Sequence, residues 1–114
     1  MARHPPHGWY PQRGEVYLVQ IDKHRPALVI SADFLNRHAL GVGVVPMTTV
    51  EHRTFSLRVQ IDPGEGGLIR ASWAKCDQVT TVETNLLLYP PVGRIANETL
   101  ESIEASIKLA LQLA

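Results

Sequence analysis

The sequence predicts a single, mainly β domain of the α+β class, with a small barrel-like core, a short helix and a C-terminal helix. The chain has 114 residues, of which 45% are hydrophobic and 19% are charged, so it can form one core and is not disordered. Short apolar segments separated by turn residues occupy most of its length, as is typical of strands. Only the end of the chain has apolar residues at helical spacing.

The strands are predicted from alternation of apolar and polar residues and from short apolar runs. In the segment 54–61, Phe55, Leu57, Val59 and Ile61 alternate with polar residues and are expected to face inward. Residues 22–25 are predicted to form a tight connection, and the Pro- and Gly-rich residues 62–67 a turn. The predicted strands are 15–21, 26–30, 41–47, 54–61, 68–73 and 75–79 (the last two separate or one bent strand), with fragments 86–88 and 92–95 flanking two prolines.

Two helices are predicted. Residues 31–37 form a short helix with Ser31 as a possible N-cap, and a terminal helix begins at Ala96 or Asn97. Leucines widen the apolar surface of the last turn, so either a partner subunit or further packing within the chain must cover it. The stripe consists of Leu100, Ile103, Ile107, Ala110 and Ala114, and the additional leucines are Leu109, Leu111 and Leu113.

Residues 1–12 contain three prolines and two histidines and are predicted to be an irregular arm before a domain at 13–114. The segment has no apolar core of a signal peptide, and no stretch is long and apolar enough to span a membrane, so a cytoplasmic location is expected. His4 and His7 have the spacing of metal ligands but lack further ligands nearby, so no metal is expected.

The charges balance overall, with eleven basic and eleven acidic residues, but they are unevenly distributed. Residues 23–75 contain seven basic and four acidic residues, whereas residues 76–114 contain two basic and five acidic residues. This asymmetry suits a protein with one side that faces a polyanion, although ordinary scatter is an equally good explanation.

Four positions are candidates for chemistry. Arg25 lies at the start of a buried strand and is able to bind a phosphate, or it is simply a surface arginine. Lys75 and Asp77 flank Cys76 and would share one face of an alternating strand, as an ion pair or as an acid/base pair. The same alternation turns Cys76 into the core, which indicates a buried residue rather than a nucleophile.

The order of several short motifs resembles the MazF/PemK (Kid-like) toxins of bacterial toxin–antitoxin systems. The resemblance extends over about residues 13–113, and Arg-Pro before a hydrophobic strand together with Asp-Gln is its most specific part. The matching motifs are RGEVYLV at 13–19, RPALVIS at 25–31, VPMTT at 45–49, GL at 67–68, CDQV at 76–79 and GRI at 93–95.

The resemblance implies an SH3-like barrel of five to seven strands, of the CcdB/PemK/MazF type, that works as a homodimer. It also implies metal-independent, cofactor-free, sequence-specific cleavage of single-stranded RNA, chiefly mRNA, to 2′,3′-cyclic phosphate and 5′-hydroxyl ends, which inhibits translation and growth. A cognate MazE-like antitoxin would inhibit the enzyme by covering its RNA groove, and the complex of the two would bind DNA.

The resemblance implies that Arg25 corresponds to the catalytic arginine of the family, Thr48 to its catalytic threonine and Asp77 to its acid/base aspartate, because these residues stand in the matching motifs. Lys75 stands where Kid-like proteins have arginine, and His24 is the only candidate for their loop histidine because the loop after the first strand is short. The residues predicted to bind RNA around this set are Lys23, Thr49, Arg53, Arg58 and Gln78.

Two other functions are compatible with the same fold. One is a non-enzymatic, CcdB-like toxin that inhibits gyrase, and the other is an SH3-like module that binds RNA or a peptide without chemistry. The joint presence of Arg25, Thr48 and Asp77 favours cleavage over both, because self-cleavage of RNA needs positive charge at the phosphate and groups that transfer protons.

Overall fold

The computed structural model describes residues 3–20, 23–51 and 57–113. Within these ranges it confirms the predicted class, with an antiparallel sheet of seven strands and two α-helices. The elements are β1 (Glu15–Gln20), β2 (His24–Val29), α1 (Asp33–His38), β3 (Gly41–Thr48), β4 (Arg58–Ile61), β5 (Ser72–Lys75), β6 (Thr80–Glu83), β7 (Leu87–Arg94) and α2 (Asn97–Leu111), with 3₁₀ turns at Glu65–Gly67 and Thr84–Leu86.

The strands follow the order β4-β5-β3-β2-β1-β7, and β6 pairs with the first half of β3. β1 and β2 form a tight hairpin in which Gln20 pairs with His24. This pairing confirms the tight connection that the sequence predicts at residues 22–25, although His24 and Arg25 already belong to β2.

Apolar side chains pack on both faces of the sheet because successive residues of a strand point to opposite sides. One face holds Val16, Leu28, Val45 and Met47 and is covered by Ile103 of α2. The other face holds a second cluster of Tyr17, Val19, Ala27, Val29, Val42, Val44, Val82 and Leu87. The two-sided burial explains why β2 and β3 read as continuous apolar runs in the sequence.

The region around Cys76 differs from the prediction. β5 begins only at Ser72, and the predicted strand 75–79 is a turn except for Lys75. Met47 pairs with Ala74 and Val44 pairs with Thr80, so β3 advances three residues while the opposing chain advances six. The extra residues leave the ladder as a bulged turn, which alternation in the sequence does not reveal.

β7 is continuous through Pro90 and Pro91, whereas the sequence predicted two fragments. Val16 pairs with Gly93 and Leu18 with Leu88, so both prolines lie in an irregularity of the ladder. β7 is also the last strand in the order, and prolines are tolerated at such edges and bulges because no neighbour needs their missing N–H.

The predicted turn after β4 is present and packs against β7. Gly67 has a φ of +77°, and a Cβ at this position would lie 2.0 Å from the carbonyl oxygen of Val92. Glycine is required here for two reasons: the backbone is left-handed, and the Val92 carbonyl leaves no room for a Cβ.

The N-terminus of α1 is not capped as predicted. The N-cap position is Ala32, which has no capping side chain, and the helix begins at Asp33. The Ser31 hydroxyl instead accepts a hydrogen bond from the N–H of Gly43 and donates one to Oδ1 of the buried Asn36. Ser31 thus links α1 to β3 rather than ending the helix.

α2 begins at Asn97, as predicted, and packs through buried Ile103 with half-buried Leu100 and Ile107 beside it. Arg13 ties the helix to the sheet: its Nε donates to the Ile30 carbonyl at 3.1 Å and its guanidinium pairs with Glu104. The leucines of the last turn are exposed, by 68% for Leu109, 58% for Leu111 and 60% for Leu113.

The arm is irregular over residues 3–12 and lies against the sheet. Its Trp9 makes edge-to-face contacts with Tyr17 and Tyr89, with ring centroids 6.0 and 5.8 Å apart, and the N–H of Arg3 donates to the Tyr89 carbonyl. No helix in the described part of the chain is long and apolar enough to cross a membrane. The predictions for Ile21, Phe55 and Ala114 fall outside the described residues.

Candidate active site

Arg25 and Thr48 come from neighbouring strands and share one face of the sheet. The last ladder pair between β2 and β3 joins Ala27 to Pro46, and Arg25 and Thr48 each lie two residues further along their strands. Since residues two apart point the same way, both side chains extend from the Ala27 side of the sheet. The two residues are distant in sequence, and the antiparallel pairing of β2 with β3 is what brings them together.

β5 adds Lys75 to the same face. Thr48 pairs directly with Trp73, so Lys75, two residues beyond Trp73, points to the same side. Arg58 of β4 pairs with Lys75 and completes a row of basic residues. Like charges directly opposite one another in a sheet are unfavourable unless something compensates them, so this pair favours an anionic ligand.

A pocket of about 300 Å³ adjoins Arg25 on this face. Its floor is apolar, and Lys23 and Arg25 provide basic groups at its wall. The lining residues are Val19, Lys23, Arg25, Pro26, Ala27, Val44, Pro46, Thr80 and Val82. Positive charge beside an apolar hollow suits a ligand with both a phosphate and a flat, weakly polar ring.

Asp77 and Gln78 lie in the bulged turn between β5 and β6, where the N–H of Gln78 donates to the Lys75 carbonyl at 2.9 Å. Both side chains are exposed, and the turn leads directly to Thr80 in the wall of the pocket. The prediction that Lys75 and Asp77 share one face of a strand is therefore wrong, because β5 ends at Lys75 and Asp77 lies in the turn. The turn nevertheless keeps Asp77 next to the end of β5 that carries Lys75.

Cys76 is buried, with 1% of its surface exposed, as the sequence predicted. Its thiol donates to the Ala74 carbonyl at 3.6 Å, and burial raises the pKa of the thiol to about 11. A thiol with this pKa is protonated at neutral pH and is a poor nucleophile. Cys76 anchors the turn in the core and leaves its two neighbours at the surface.

The other residues predicted for the site do not all lie on the face that carries Arg25. Lys23 lines the pocket, and Thr49 is exposed directly after Thr48. His24 is exposed but adjacent to Arg25 in β2, so strand alternation directs it to the opposite face. The prediction for Arg53 falls outside the described residues.

Trp73 and Gln60 belong to the same face and were missed from the sequence. They pair with each other across β4 and β5, and Trp73 also pairs with Thr48, which places the Cβ atoms of Trp73 and Thr48 about 5 Å apart. Trp73 is half-buried, so part of its indole is accessible next to the basic row. An aromatic residue alternating with Lys75 was the available signal, because aromatic and basic side chains together are typical of single-stranded nucleic-acid sites.

Arg25 is exposed and has no acidic partner within the described residues. The ion pair found in that part of the chain, between Arg13 and Glu104, lies at α2, away from the candidate site. Among the described residues, then, no carboxylate competes with an external anion for the guanidinium of Arg25. A planar guanidinium that stays charged suits two oxygens of one phosphate.

Comparison with known proteins gives a consistent result. The model of the family described as PemK-like, MazF-like toxin of type II toxin-antitoxin system matches residues 12–111. The endoribonuclease MazF9 of Mycobacterium tuberculosis is 30% identical over 115 residues, which cover 90% of this chain and 97% of that protein.

Solved structures show the same fold. An endoribonuclease from a mycobacterial species superimposes with a TM-score of 0.79 at 28% identity, covering 95% of this chain and 97% of the other. A mycobacterial endoribonuclease in complex with its cognate antitoxin also gives 0.79, at 27% identity, with 91% of this chain and 97% of the other covered. The expected fold type is thereby confirmed, and the chain belongs to the PemK/MazF-like toxin family of type II toxin–antitoxin systems.

Proposed function

We propose that this chain is an endoribonuclease that cleaves single-stranded RNA without a metal ion and thereby inhibits translation and growth. The observation that carries the proposal is the sheet register, which gathers Arg25, Thr48 and Lys75 on one face although they are far apart in sequence. The relatives named endoribonuclease support the reaction type. A cytoplasmic location follows from the proposed substrate, mRNA.

Each group has a role in a reaction in which RNA attacks its own backbone. A base removes the proton of a ribose 2′-hydroxyl, and the resulting oxygen attacks the adjacent phosphorus. The bond from phosphorus to the 5′-oxygen of the next nucleotide breaks, and an acid gives that oxygen a proton. The products are a 2′,3′-cyclic phosphate and a 5′-hydroxyl, so protons and charge balance without water or an oxidant.

Arg25 stabilises the charge that accumulates on the phosphorane, since its guanidinium is always protonated and binds two oxygens. The Thr48 hydroxyl donates to a phosphate oxygen. Asp77 acts as the base and Lys75 as the acid, because both are at the same end of β5 and Lys75 shares a face with Arg25. His24 is the weaker candidate for the base because it follows the opposite face of β2.

The surroundings of this set would hold the RNA strand. Lys23 in the wall of the pocket, Thr49 next to Thr48 and Gln78 next to Asp77 are exposed and would supply hydrogen-bond donors for phosphate and base edges. Trp73 offers a ring on which a base can stack beside Thr48. Arg53 remains a predicted RNA contact because its position lies outside the described residues.

Two macromolecular partners belong to the proposal. One is a second copy of the chain, forming a homodimer, and the other is a cognate antitoxin of the MazE type. The complex of the mycobacterial endoribonuclease with its antitoxin supports the second partner. An antitoxin segment laid over the face that carries Arg25 would exclude RNA from it.

Incubation of the purified protein with a long single-stranded RNA in EDTA tests the reaction. We expect cleavage at defined positions, 2′,3′-cyclic phosphate ends, and no cleavage where the nucleotide before the cut is 2′-deoxy. Arg25→Ala is expected to reduce the rate at least 10²–10³-fold, because it removes a charge preorganised for the phosphorane. Arg25→Lys is expected to recover little, since an ammonium cannot make the two-oxygen contact.

Arg70→Ala is the matched control, because Arg70 is an exposed arginine of the β4–β5 connection and lies outside the site. It should cleave like the parent. An Arg25→Ala protein that is folded and cuts at the parent rate would refute the assignment of this site, and a parent that leaves RNA intact would refute the reaction.

A further inference from the structure

The segment after β3 is held by two hydrogen bonds that converge on Val50. The N–H of Val50 donates to Thr48 Oγ1 at 3.1 Å. Arg58 Nη1 donates to the carbonyl oxygen of Val50, also at 3.1 Å. Both backbone polar groups of Val50 are thus engaged, one by the proposed catalytic hydroxyl and the other by an arginine of β4.

The bond to Thr48 determines what its hydroxyl can do. A threonine hydroxyl has one O–H donor and two acceptor positions. Because the Val50 amide already occupies an acceptor position, the rotation of the hydroxyl is restricted and its O–H is left to donate elsewhere. This is the state required for a hydroxyl that donates to a phosphate oxygen.

The bond from Arg58 acts on the same short segment. The chain bends at Thr49, and Val50 is 57% exposed, so water is free to bind its carbonyl if the arginine is absent. Arg58 is half-buried at the start of β4 and is fixed in register by its pairing with Lys75. It therefore provides a rigid support for a segment that is otherwise open to solvent.

We propose that Arg58 is a positioning residue for Thr48, which acts by holding the Val50 carbonyl so that the Val50 amide fixes the Thr48 hydroxyl toward the scissile phosphate. This inference rests on the proposed cleavage of RNA. It gives Arg58 a role that differs from the one predicted from sequence, where it was a direct RNA contact.

The two roles have different kinetic consequences. Loss of a direct phosphate contact weakens binding, raises KM and reduces the salt dependence of RNA affinity by about one phosphate. Loss of a positioning contact leaves the substrate bound with the hydroxyl misplaced and mainly reduces kcat. Arg58→Ala is therefore expected to lower kcat about tenfold or more, with KM within about threefold of the parent value.

A double-mutant cycle with Thr48 is the decisive experiment. Cleavage of one single-stranded RNA is measured for the parent, Arg58→Ala, Thr48→Ala and the double variant, with Arg70→Ala as the charge-matched control. If Arg58 acts through Thr48, the double variant should be no slower than Thr48→Ala alone. Arg58→Lys should recover most of the activity, since a single donor suffices for one carbonyl.

Thermal unfolding of each variant shows whether it is folded, and if Arg58→Ala is not, Arg58→Met takes its place in the cycle, because methionine keeps an unbranched side chain but has no hydrogen-bond donor. Additive losses, or a loss confined to KM with a weaker salt dependence, would overturn the positioning role and leave the proposed reaction intact. A parent protein without activity on RNA would instead refute the proposed reaction, and the positioning role with it.

Discussion

Cys76 illustrates how a reactive residue type is kept inert beside a site. Its neighbours Lys75 and Asp77 carry the proposed acid and base, but its own side chain is enclosed by the core on the opposite side of the chain. Burial raises the pKa of the thiol from 9.0 to about 11. Alternation in the sequence indicated this burial correctly, although the residue is in a turn and not in a strand.

The raised pKa predicts a specific dependence of stability on pH. Between pH 9 and pH 11 the unfolded thiol loses its proton while the folded thiol keeps it, so the free energy of unfolding falls as pH rises through this range. The expected loss from this group is about 2–3 kcal/mol, and it is absent below pH 9.

Urea unfolding of the parent and Cys76→Ala from pH 8 to pH 11 measures this loss. Tyr17, whose pKa is raised by burial and by its hydrogen bond to Glu15, contributes in the same direction to both proteins. The difference between the two curves therefore isolates the thiol and should shrink as pH rises. Parallel curves would show that the thiol is not desolvated in the folded protein.

At the scale of the elements, the β4–β5 connection is tightly constrained by its backbone at Gly67. Gly67→Ala places a Cβ against the Val92 carbonyl and also requires a left-handed conformation, so β7 has to shift. We expect a loss of roughly 2–4 kcal/mol in the free energy of unfolding. Urea denaturation at neutral pH gives this value directly.

Gly64→Ala is a closely matched control for the same turn. Gly64 has a φ of +93°, but a Cβ there would meet nothing within 4 Å. It should therefore show only the cost of the backbone conformation, roughly 1–2 kcal/mol. Equal losses for the two variants would mean that the contact with Val92 contributes nothing.

Elements that depend on neighbouring residues in the sequence were predicted well, whereas those that depend on pairing with a distant strand were not. β1, β3 and α2 were predicted closely because their apolar spacing is local and each buries a consistent face. The bulged turn after β5 and the continuous β7 were not, because both depend on the register with a strand elsewhere in the chain. Trp73 was missed for the same reason, since only the pairing of β5 with β3 places it beside Thr48.

At the scale of the whole molecule, the apolar residues at the end of α2 are left exposed to solvent. Leu109, Leu111 and Leu113 expose more than half of their surface, while Ile103 on the same helix is buried. The helix therefore packs on the sheet through Ile103 and leaves leucines exposed at its C-terminal end. Several large apolar side chains exposed at one end of a helix are typical of an interface.

We expect the protein to form a homodimer with twofold symmetry that buries roughly 1,200–2,000 Å² and includes these leucines. Light scattering at micromolar concentration should give twice the mass of one chain. The double variant Leu109→Glu/Leu111→Glu should give the mass of a single chain, because two carboxylates cannot be desolvated in an apolar interface without large cost. Ile69→Glu, at a residue that is 91% exposed on the β4–β5 connection, is the control and should remain dimeric. A monomeric parent would contradict the dimer, and a dimeric double variant would place the interface on another surface, where the exposed leucines of α2 play no part.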